Sequence, residues 1–202
     1  RWFSRKDTAR LRVLMVCTGN LCRSPMAEVV LRTKLQRAGL AGVVAVDSAG
    51  THGFKRGTPV DARALAQAGR RGYDLKGCKS RPLVVGDFTH FDLVLGMDHK
   101  NLDTLHDRCP TAEHHRVATL LSFLPAAPVD EIPDAYYGSV AAFDAALDLI
   151  EPACDGVLAA FGNSVPANGK IVACGVPRVS TLRPRLGWKV LTKSRSSPRS
   201  AL

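Results

Sequence analysis

The chain of 202 residues has no long apolar run, and aromatic side chains make up only 6% of it. No stretch approaches the roughly 18 consecutive apolar residues of a membrane-spanning helix, so no membrane span is expected. The charged first ten residues lack the apolar core of a secretory signal. The six cysteines form no CxxC pair and no disulfide framework, so we expect thiols in a reducing compartment and a cytoplasmic location. Export by a signal-independent route and the true N-terminus are left open.

Acidic residues are scarce at both ends of the chain, which carries 28 basic and 18 acidic residues in all. Residues 1–12 contain five basic residues and one acidic residue, and residues 165–202 contain eight basic residues and no acidic one. The intervening part has 15 basic and 17 acidic residues and is therefore slightly acidic. This distribution argues against a specific nucleic-acid partner. Weak contact of the basic tail with polyanions is left open.

Segments with strand-like and helix-like apolar patterns alternate along the middle of the chain. Strands are predicted at 11–16, 43–47, 92–95 and 116–119, and helices at 26–37, 61–68, 99–105 and 140–161. The alternation predicts an α/β fold: a doubly wound, flavodoxin-like, four-stranded parallel sheet with helices on both faces, in a single domain. Ligands of such sheets bind at the carboxyl ends of the strands.

Three regions are predicted from this pattern. Residues 1–10 form a basic N-terminal extension, residues 11–163 form the folded domain, and residues 164–202 form a basic tail whose composition is typical of disorder.

The most informative segment is the loop between the first predicted strand and the first predicted helix, Cys17-Thr-Gly-Asn-Leu-Cys-Arg-Ser24. A loop in this place directs its backbone N–H groups and the positive end of the helix dipole to one point. Gly19 and Asn20 tolerate the left-handed backbone that a concave loop needs. Ser24 is predicted to be the N-cap of the helix and Pro25 its first residue.

Two side chains of this loop indicate phosphate chemistry. Arg23 offers a planar fork that can bind two phosphate oxygens at once. The sulfur of Cys17 would lie at the centre of the loop, where the thiolate form is favoured and becomes a nucleophile for phosphorus. The Cys-x5-Arg spacing alone is a weak signal, and its placement between a strand and a helix makes it specific. Neither GxxxxGK[ST] nor GxGxxG occurs, which argues against a nucleotide-binding loop.

The segment VCTGNLCRSPMAE resembles the phosphate loop of the low-molecular-weight protein tyrosine phosphatase family. Three further segments are similar to that family in the same order: Asp47-Ser-Ala-Gly-Thr51, Met97-Asp98 and Pro133-Asp-Ala-Tyr-Tyr-Gly138. The resemblance covers roughly residues 11–163.

The resemblance implies a protein tyrosine phosphatase that hydrolyses phosphotyrosine in protein substrates through a cysteinyl-phosphate intermediate. It implies Cys17 as the nucleophile, Arg23 as the ligand of the phosphate and the transition state, and Asp134 as the general acid. It further implies that Ser24 hydrogen-bonds the thiolate and that Asn20 holds the loop in shape. Because Arg23 and the loop amides neutralise the developing charge, no metal and no other cofactor is expected.

The predicted substrate-binding residues come from the loop and from two aromatic segments. They are Thr18, Gly19, Asn20, Leu21, Cys22, Ser24, Phe54, Tyr136 and Tyr137. The related protein-arginine phosphatases have a threonine-like residue where this chain has Leu21, and an apolar side chain there favours a phosphorylated aromatic ring.

The sequence departs from the family at two positions of this region. Phe54 stands where the family often has tryptophan, which keeps a flat apolar wall. Ala135 replaces the usual proline, which frees the backbone next to the general acid.

The sequence is compatible with several alternatives. The chain could be a thiol-dependent arsenate reductase or an inactive phosphate-reading module. Cys22 is either a packing residue or the partner that traps oxidised Cys17 as a disulfide. Asp98 is interpreted as the cap of the helix that follows it. The pair His114-His115 is interpreted as part of a solvated loop rather than a metal site.

Overall fold

The computed structural model describes residue 9, residues 11–52 and residues 55–162. The predicted C-terminal tail lies outside the described residues, as do Phe54 and, except for Ala9, the predicted N-terminal extension.

The described chain alternates strands and helices. The strands are β1 (Leu11–Cys17), β2 (Val44–Gly50), β3 (Leu93–Gly96) and β4 (Val117–Thr119); the helices are α1 (Arg23–Arg37), α2 (Ala62–Arg70), α3 (Asp87–His90), α4 (His99–Arg108) and α5 (Val140–Gly162). Every predicted element is present, with ends displaced by at most three residues. The single turn of α3 and two 3₁₀ turns, Thr111–Arg116 and Leu120–Phe123, were not predicted, because segments this short show no apolar period.

The four strands form one parallel sheet in the order β2-β1-β3-β4, which confirms the predicted fold class. The chain leaves β1 toward β2 on one side and later returns to β3 on the other side of β1. This reversal separates the connections that follow β1 and β3 and opens a crevice at the carboxyl ends of the two strands. The loop after β1 lies in that crevice.

Side chains of β1 alternate between two apolar layers, as a strand covered on both faces requires. Val13 and Met15 belong to the layer that contains α1 and α5, whereas Leu14 and Val16 belong to the layer that contains α3 and α4. All four are fully buried. The strand that carries the loop is therefore fixed from both sides.

Helix α1 begins earlier than the sequence predicts. The predicted N-cap, Ser24, is wrong: the cap position is Cys22, and Ser24 lies in the first turn of the helix. The hydroxyl of Ser24 is directed to the sulfur of Cys17 and is used there.

Helix α2 is tied to α5 by ion pairs. Arg71, which follows α2, contacts Asp144, Asp148 and Glu151 at 2.8, 2.7 and 3.2 Å. These contacts link the end of α2 to α5, and Ala64 and Ala68 of α2 are buried in the same apolar layer as α5. None of the helices within residues 11–52 and 55–162 is long and apolar enough to cross a membrane.

Candidate active site

Cys17 is the last residue of β1 and is buried at the base of the loop. Its sulfur accepts a hydrogen bond from the backbone N–H of Asn20 at 3.2 Å and one from the hydroxyl of Ser24 at 3.0 Å. Hydrogen bonds donated to sulfur stabilise its anionic form. The thiol predicted to be the nucleophile therefore faces the inside of the loop and has polar donors around it.

The loop is held against the end of β2 by close backbone contacts. A Cβ atom on Gly50 would lie 3.0 Å from the carbonyl carbon of Gly19 and 3.0 Å from the carbonyl oxygen of Thr18. The N–H of Thr51 donates to the carbonyl of Cys17 at 2.9 Å. Glycine is therefore needed at position 50, because any larger residue would displace the main chain of the loop.

Helix α1 begins within the same loop, at Arg23. The first N–H groups of a helix have no partners within the helix, and the cap residue Cys22 makes no side-chain hydrogen bond to them. No acidic residue lies in the first turn. Such a helix end attracts anions. Burial raises the pKa of Cys22 to about 12, which favours the neutral thiol.

Behind the loop, a chain of side-chain hydrogen bonds orients Ser24. Asn20, which has a left-handed φ of 56°, donates through Nδ2 to the hydroxyls of Ser24 and Ser48 at 3.0 and 2.9 Å. The amide oxygen of Asn20 accepts the N–H of Arg81 at 2.9 Å, which fixes the amide orientation. Ser48 in turn donates to Oε2 of Glu28 at 2.7 Å. Because Ser24 accepts from Asn20, its own proton is available to the sulfur of Cys17 at 3.0 Å, which lies closer than its other acceptor, the carbonyl of Ala49 at 3.4 Å.

The buried carboxyl of Glu28 gives a testable pH dependence of stability. Burial raises its pKa above the ordinary value of 4.5, so the folded state holds this proton to higher pH than the unfolded state. The contribution of this group to stability is therefore present below pH 4.5 and is lost as the pH rises toward its folded pKa. We expect the free energy of unfolding of Glu28→Gln, relative to the unmodified protein, to increase with pH in urea titrations from pH 4 upward. A pH-independent difference would contradict this assignment.

The guanidinium of Arg23 is held in place by three oxygen atoms. Arg23 is 1% exposed, and its Nη1 donates to Oδ2 of Asp98 at 2.6 Å and to the carbonyl of Ile132 at 3.0 Å. The second nitrogen, Nη2, contacts Oδ2 of Asp134 at 2.9 Å. Asp98 also accepts the N–H of Asn101 at 2.7 Å, which confirms it as the cap of α4. One carboxylate therefore serves both the helix and the arginine.

Asp134 is brought to the phosphate loop by the segment that precedes α5. Its Oδ1 accepts the N–H of Tyr136 at 3.2 Å, and its side chain is 42% exposed. The neighbouring Ala135 is buried and accepts the N–H of Gly138 at 2.9 Å. Tyr137 is 92% exposed and packs edge-on against Tyr136, with ring centroids 5.0 Å apart.

These groups line one pocket at the carboxyl edge of the sheet. Its lining residues are Cys17, Thr18, Gly19, Leu21, Cys22, Arg23, Asp134, Tyr136 and Tyr137. Asn20 and Ser24, predicted to bind substrate, support Cys17 from behind the loop and are not among the lining residues found in the described part of the chain. Phe54 lies outside the described residues.

The histidine pair lies in the 3₁₀ turn Thr111–Arg116. The ring of His114 contacts the carbonyl of Cys109 at 3.0 Å, and the ring of His115 contacts the carbonyl of Ala112 at 2.8 Å. Both imidazoles are therefore engaged by nearby backbone.

Three residues of the site were missed or underestimated from the sequence. Asp98 was predicted only as a cap, although it also holds Arg23. Ser48 and Glu28 were given no role, although they complete the hydrogen-bond chain to Ser24. The segment that contains Ser48 did match the family, and that match was the available signal.

Comparison with known proteins supports the same assignment. The family described as low molecular weight phosphotyrosine protein phosphatase matches residues 12–167. A low molecular weight protein-tyrosine-phosphatase of Streptomyces coelicolor is 40% identical over 157 residues, which cover 76% of this chain and 95% of that protein. The chain belongs to the low molecular weight phosphotyrosine protein phosphatase family, as the loop sequence predicts.

Solved structures share the fold. The crystal structure of a protein tyrosine phosphatase from Entamoeba histolytica is similar with a TM-score of 0.73 and 35% identity, over 76% of this chain and 97% of that chain. An arginine phosphatase from Geobacillus stearothermophilus is similar with a TM-score of 0.66 and 29% identity, over 76% and 94% of the two chains. The fold thus accommodates phosphatases named for two different phosphorylated residues, and the choice between them depends on the pocket.

Proposed function

We propose that this protein is a protein tyrosine phosphatase that hydrolyses phosphotyrosine in protein substrates through a cysteinyl-phosphate intermediate. The observation that carries the proposal is the convergence of Cys17, Arg23 and Asp134 on one pocket at the N-terminus of α1. In this arrangement a nucleophile, an anion ligand and a proton donor all face the same volume.

In the first step the Cys17 thiolate attacks phosphorus and the bond from phosphorus to the phenolic oxygen breaks. Arg23 and the amides of the loop bind the equatorial oxygens and stabilise the charge that develops on them. The phosphoryl oxygens replace the Asp134 carboxylate on Nη2 of Arg23. Asp134, in its protonated form, gives its proton to the leaving oxygen and ends the step as a carboxylate.

In the second step a water molecule attacks the phosphorus of the cysteinyl phosphate. The Asp134 carboxylate takes a proton from that water, and the sulfur–phosphorus bond breaks to release inorganic phosphate. Cys17 leaves as a thiolate, which the hydroxyl of Ser24, 3.0 Å away, stabilises by hydrogen bonding. These residues supply the positive charge and the proton, so we expect activity to persist in EDTA.

The side chains at the mouth of the pocket favour an aromatic substrate. Leu21, Tyr136 and Tyr137 present apolar surface around the path to Cys17. A phosphorylated tyrosine ring gains from burial between such side chains, whereas a phosphoarginine needs polar partners for its guanidinium nitrogens. Phosphotyrosine is therefore the proposed substrate group.

Removal of the general acid should have an effect that depends on the leaving group. We expect Asp134→Ala to reduce kcat/KM about 10²- to 10⁴-fold for phenyl phosphate, whose oxide needs a proton to leave. The loss for dinitrophenyl phosphate should be much smaller, because that oxide leaves without one. The ratio kcat/KM is measured because it reports the step that expels the leaving group.

An exposed aspartate of α4 provides the matched control. Asp103→Ala removes a carboxylate outside the pocket and should leave both substrates unaffected. Equal losses of Asp134→Ala on the two substrates would show that Asp134 is not the acid.

The arsenate reductase alternative requires a relay of further thiols. Cys22 lines the pocket with Cys17, and Cys78 packs against the same apolar layer as Cys17. Cys109 belongs to the layer on the opposite face of the sheet, and Cys78 and Cys109 are about thirty positions apart in the chain, which disfavours a tight relay. Robust arsenate reduction with a thioredoxin couple, together with negligible phosphoester hydrolysis, would overturn the phosphatase proposal. Hydrolysis of para-nitrophenyl phosphate also separates an enzyme from an inactive phosphate-reading module.

The proposed location is the cytoplasm. The five cysteines in the described part of the chain are all free, as thiols in a reducing compartment would be: Cys17, Cys22, Cys78, Cys109 and Cys154.

A further inference from the structure

Arg63, near the start of α2, connects the two loops that build the pocket. On one side it is held by Asp61, which accepts from Nε through Oδ1 at 3.0 Å and from Nη2 through Oδ2 at 2.8 Å. Asp61 is itself fixed: its N–H donates to the carbonyl of Leu21 at 3.0 Å, and its Oδ1 caps α2. Asp61 therefore fixes the position of the Arg63 guanidinium relative to the phosphate loop.

The other side of the guanidinium binds the segment that carries the general acid. Nη2 donates to the carbonyl of Tyr136 at 2.8 Å, and Nη1 donates to the carbonyl of Gly138 at 3.0 Å. The face of the guanidinium packs over the ring of Phe143, with its central carbon 4.8 Å from the ring centroid. Four donated hydrogen bonds and the packing on Phe143 thus fix both the position and the tilt of Arg63.

The contact reaches the carboxyl of Asp134 through a single residue. Tyr136 accepts from Arg63 through its carbonyl and donates through its N–H to Oδ1 of Asp134 at 3.2 Å. Arg63 is not among the described residues that line the pocket. Ala135, between Asp134 and Tyr136, imposes no ring constraint on the backbone. The segment is held by its own bond from the N–H of Gly138 to the carbonyl of Ala135 and by the two bonds that Arg63 donates from outside it.

We propose that Arg63 is a positioning residue, which holds the carboxyl of Asp134 over the phosphate site by tying residues 134–138 to the phosphate loop through Asp61. The inference rests on the proposed role of Asp134 as general acid. Arg63 touches no reacting atom in this scheme. It acts through Tyr136, whose carbonyl it binds and whose ring centroid lies 6.0 Å from its central carbon. A displaced ring would affect all aryl phosphates alike, whereas a displaced Asp134 should affect only the substrate whose leaving group needs the proton.

Arg63→Lys tests the role because lysine keeps the charge but concentrates its donors at one point, so it cannot serve Asp61 and both carbonyls together. We expect kcat/KM for phenyl phosphate to fall about 10- to 100-fold, the loss typical of a slightly misplaced catalytic group. For dinitrophenyl phosphate the change should stay within about twofold, because the departure of that oxide does not depend on the acid.

A double substitution separates positioning from general stabilisation. In an Asp134→Ala background, Arg63→Lys should cause no further loss on phenyl phosphate, because its effect is exerted through the missing carboxyl. Asp61→Asn gives a second route if Arg63→Lys folds poorly: asparagine is an equally good cap but weakens the hold on the guanidinium, so it should show the same dependence on the leaving group. Arg70→Lys, at an exposed position of α2, is the matched control and should behave as the unmodified protein.

Equal losses of Arg63→Lys on both substrates, or a full further loss in the Asp134→Ala background, would overturn the positioning role. If Asp134 is not the general acid, Asp134→Ala by itself lowers kcat/KM equally for the two substrates. That result distinguishes failure of the acid assignment from failure of the role proposed for Arg63. Urea unfolding of each variant shows whether a loss on both substrates reflects a smaller folded fraction.

Discussion

Cys17→Ser is expected to lower kcat for aryl phosphates by about 10⁵- to 10⁶-fold, the loss typical of removing a catalytic nucleophile. A serine hydroxyl at this position would receive the same hydrogen bonds from Asn20 and Ser24 that the sulfur receives. Those bonds cannot ionise an alcohol near neutral pH, so the nucleophile is lost while the loop stays intact. The measurement is steady-state hydrolysis of para-nitrophenyl phosphate in EDTA. Mass spectrometry of the quenched proteins should find a phosphorylated Cys17 in the unmodified protein and none in the variant.

The binding of inorganic phosphate to Cys17→Ser should survive, since the loop amides and Arg23 provide the anion site. Calorimetric titration tests this part of the prediction. Cys109→Ser, which removes a buried thiol on the opposite face of the sheet, is the matched control and should keep full activity. Turnover by Cys17→Ser within tenfold of the unmodified protein would exclude Cys17 as the nucleophile.

Arg23→Lys is expected to lower kcat/KM by about 10³-fold, in the range seen when an oxyanion ligand or a transition-state arginine is removed. The buried guanidinium uses Nη1 on Asp98 and on the carbonyl of Ile132, which leaves Nη2 directed to the pocket. A lysine ammonium can satisfy Asp98 or reach the phosphoryl oxygens, but it cannot present a flat fork to both. Unlike Asp134→Ala, this variant should lose activity equally on phenyl and dinitrophenyl phosphates and should bind inorganic phosphate more weakly.

Arg37→Lys makes the same chemical change at an exposed position near the end of α1 and should leave the kinetics unchanged. If Arg23→Lys retained the affinity for inorganic phosphate and most of the rate, the anion would have to be held by the loop amides alone.

The part of the site that is local in sequence could be predicted from the sequence. Cys17 and Arg23 belong to one strand–loop–helix segment, whose geometry follows from the apolar strand, the Gly-Asn pair and the helix start. The parallel sheet then determines that other strands end at the same edge. Asp98, which follows β3, lies at this edge, although the sequence predicted it only as the cap of α4.

The contacts that join distant segments could not be predicted in this way. Asp98 and Arg23 are 75 positions apart in the chain, as are Arg63 and Gly138. Nothing in the local pattern shows that the cap of α4 uses its second oxygen on a buried arginine, or that an arginine in the first turn of α2 binds carbonyls of the acid segment. Such pairs depend on how the helices pack on the sheet.

Ser24 shows how a local rule fails at a functional site. A serine before a proline at a helix start is typical of an N-cap, yet the helix begins at Arg23 and Ser24 donates to sulfur instead. The cap position goes to Cys22, and the leading N–H groups of α1 are left for an anion.

The tight contact between Gly50 and the backbone of Thr18 and Gly19 has a thermodynamic consequence for ligand affinity. The loop after β1 binds the anion through its main chain, which packs tightly against the end of β2. Its conformational entropy is therefore lost when the protein folds and not when a ligand binds. Even an ion as small as phosphate, with few contacts of its own, can then bind without having to reorganise the protein. Affinity gained from the rest of a phosphoprotein is added to a site that is already assembled.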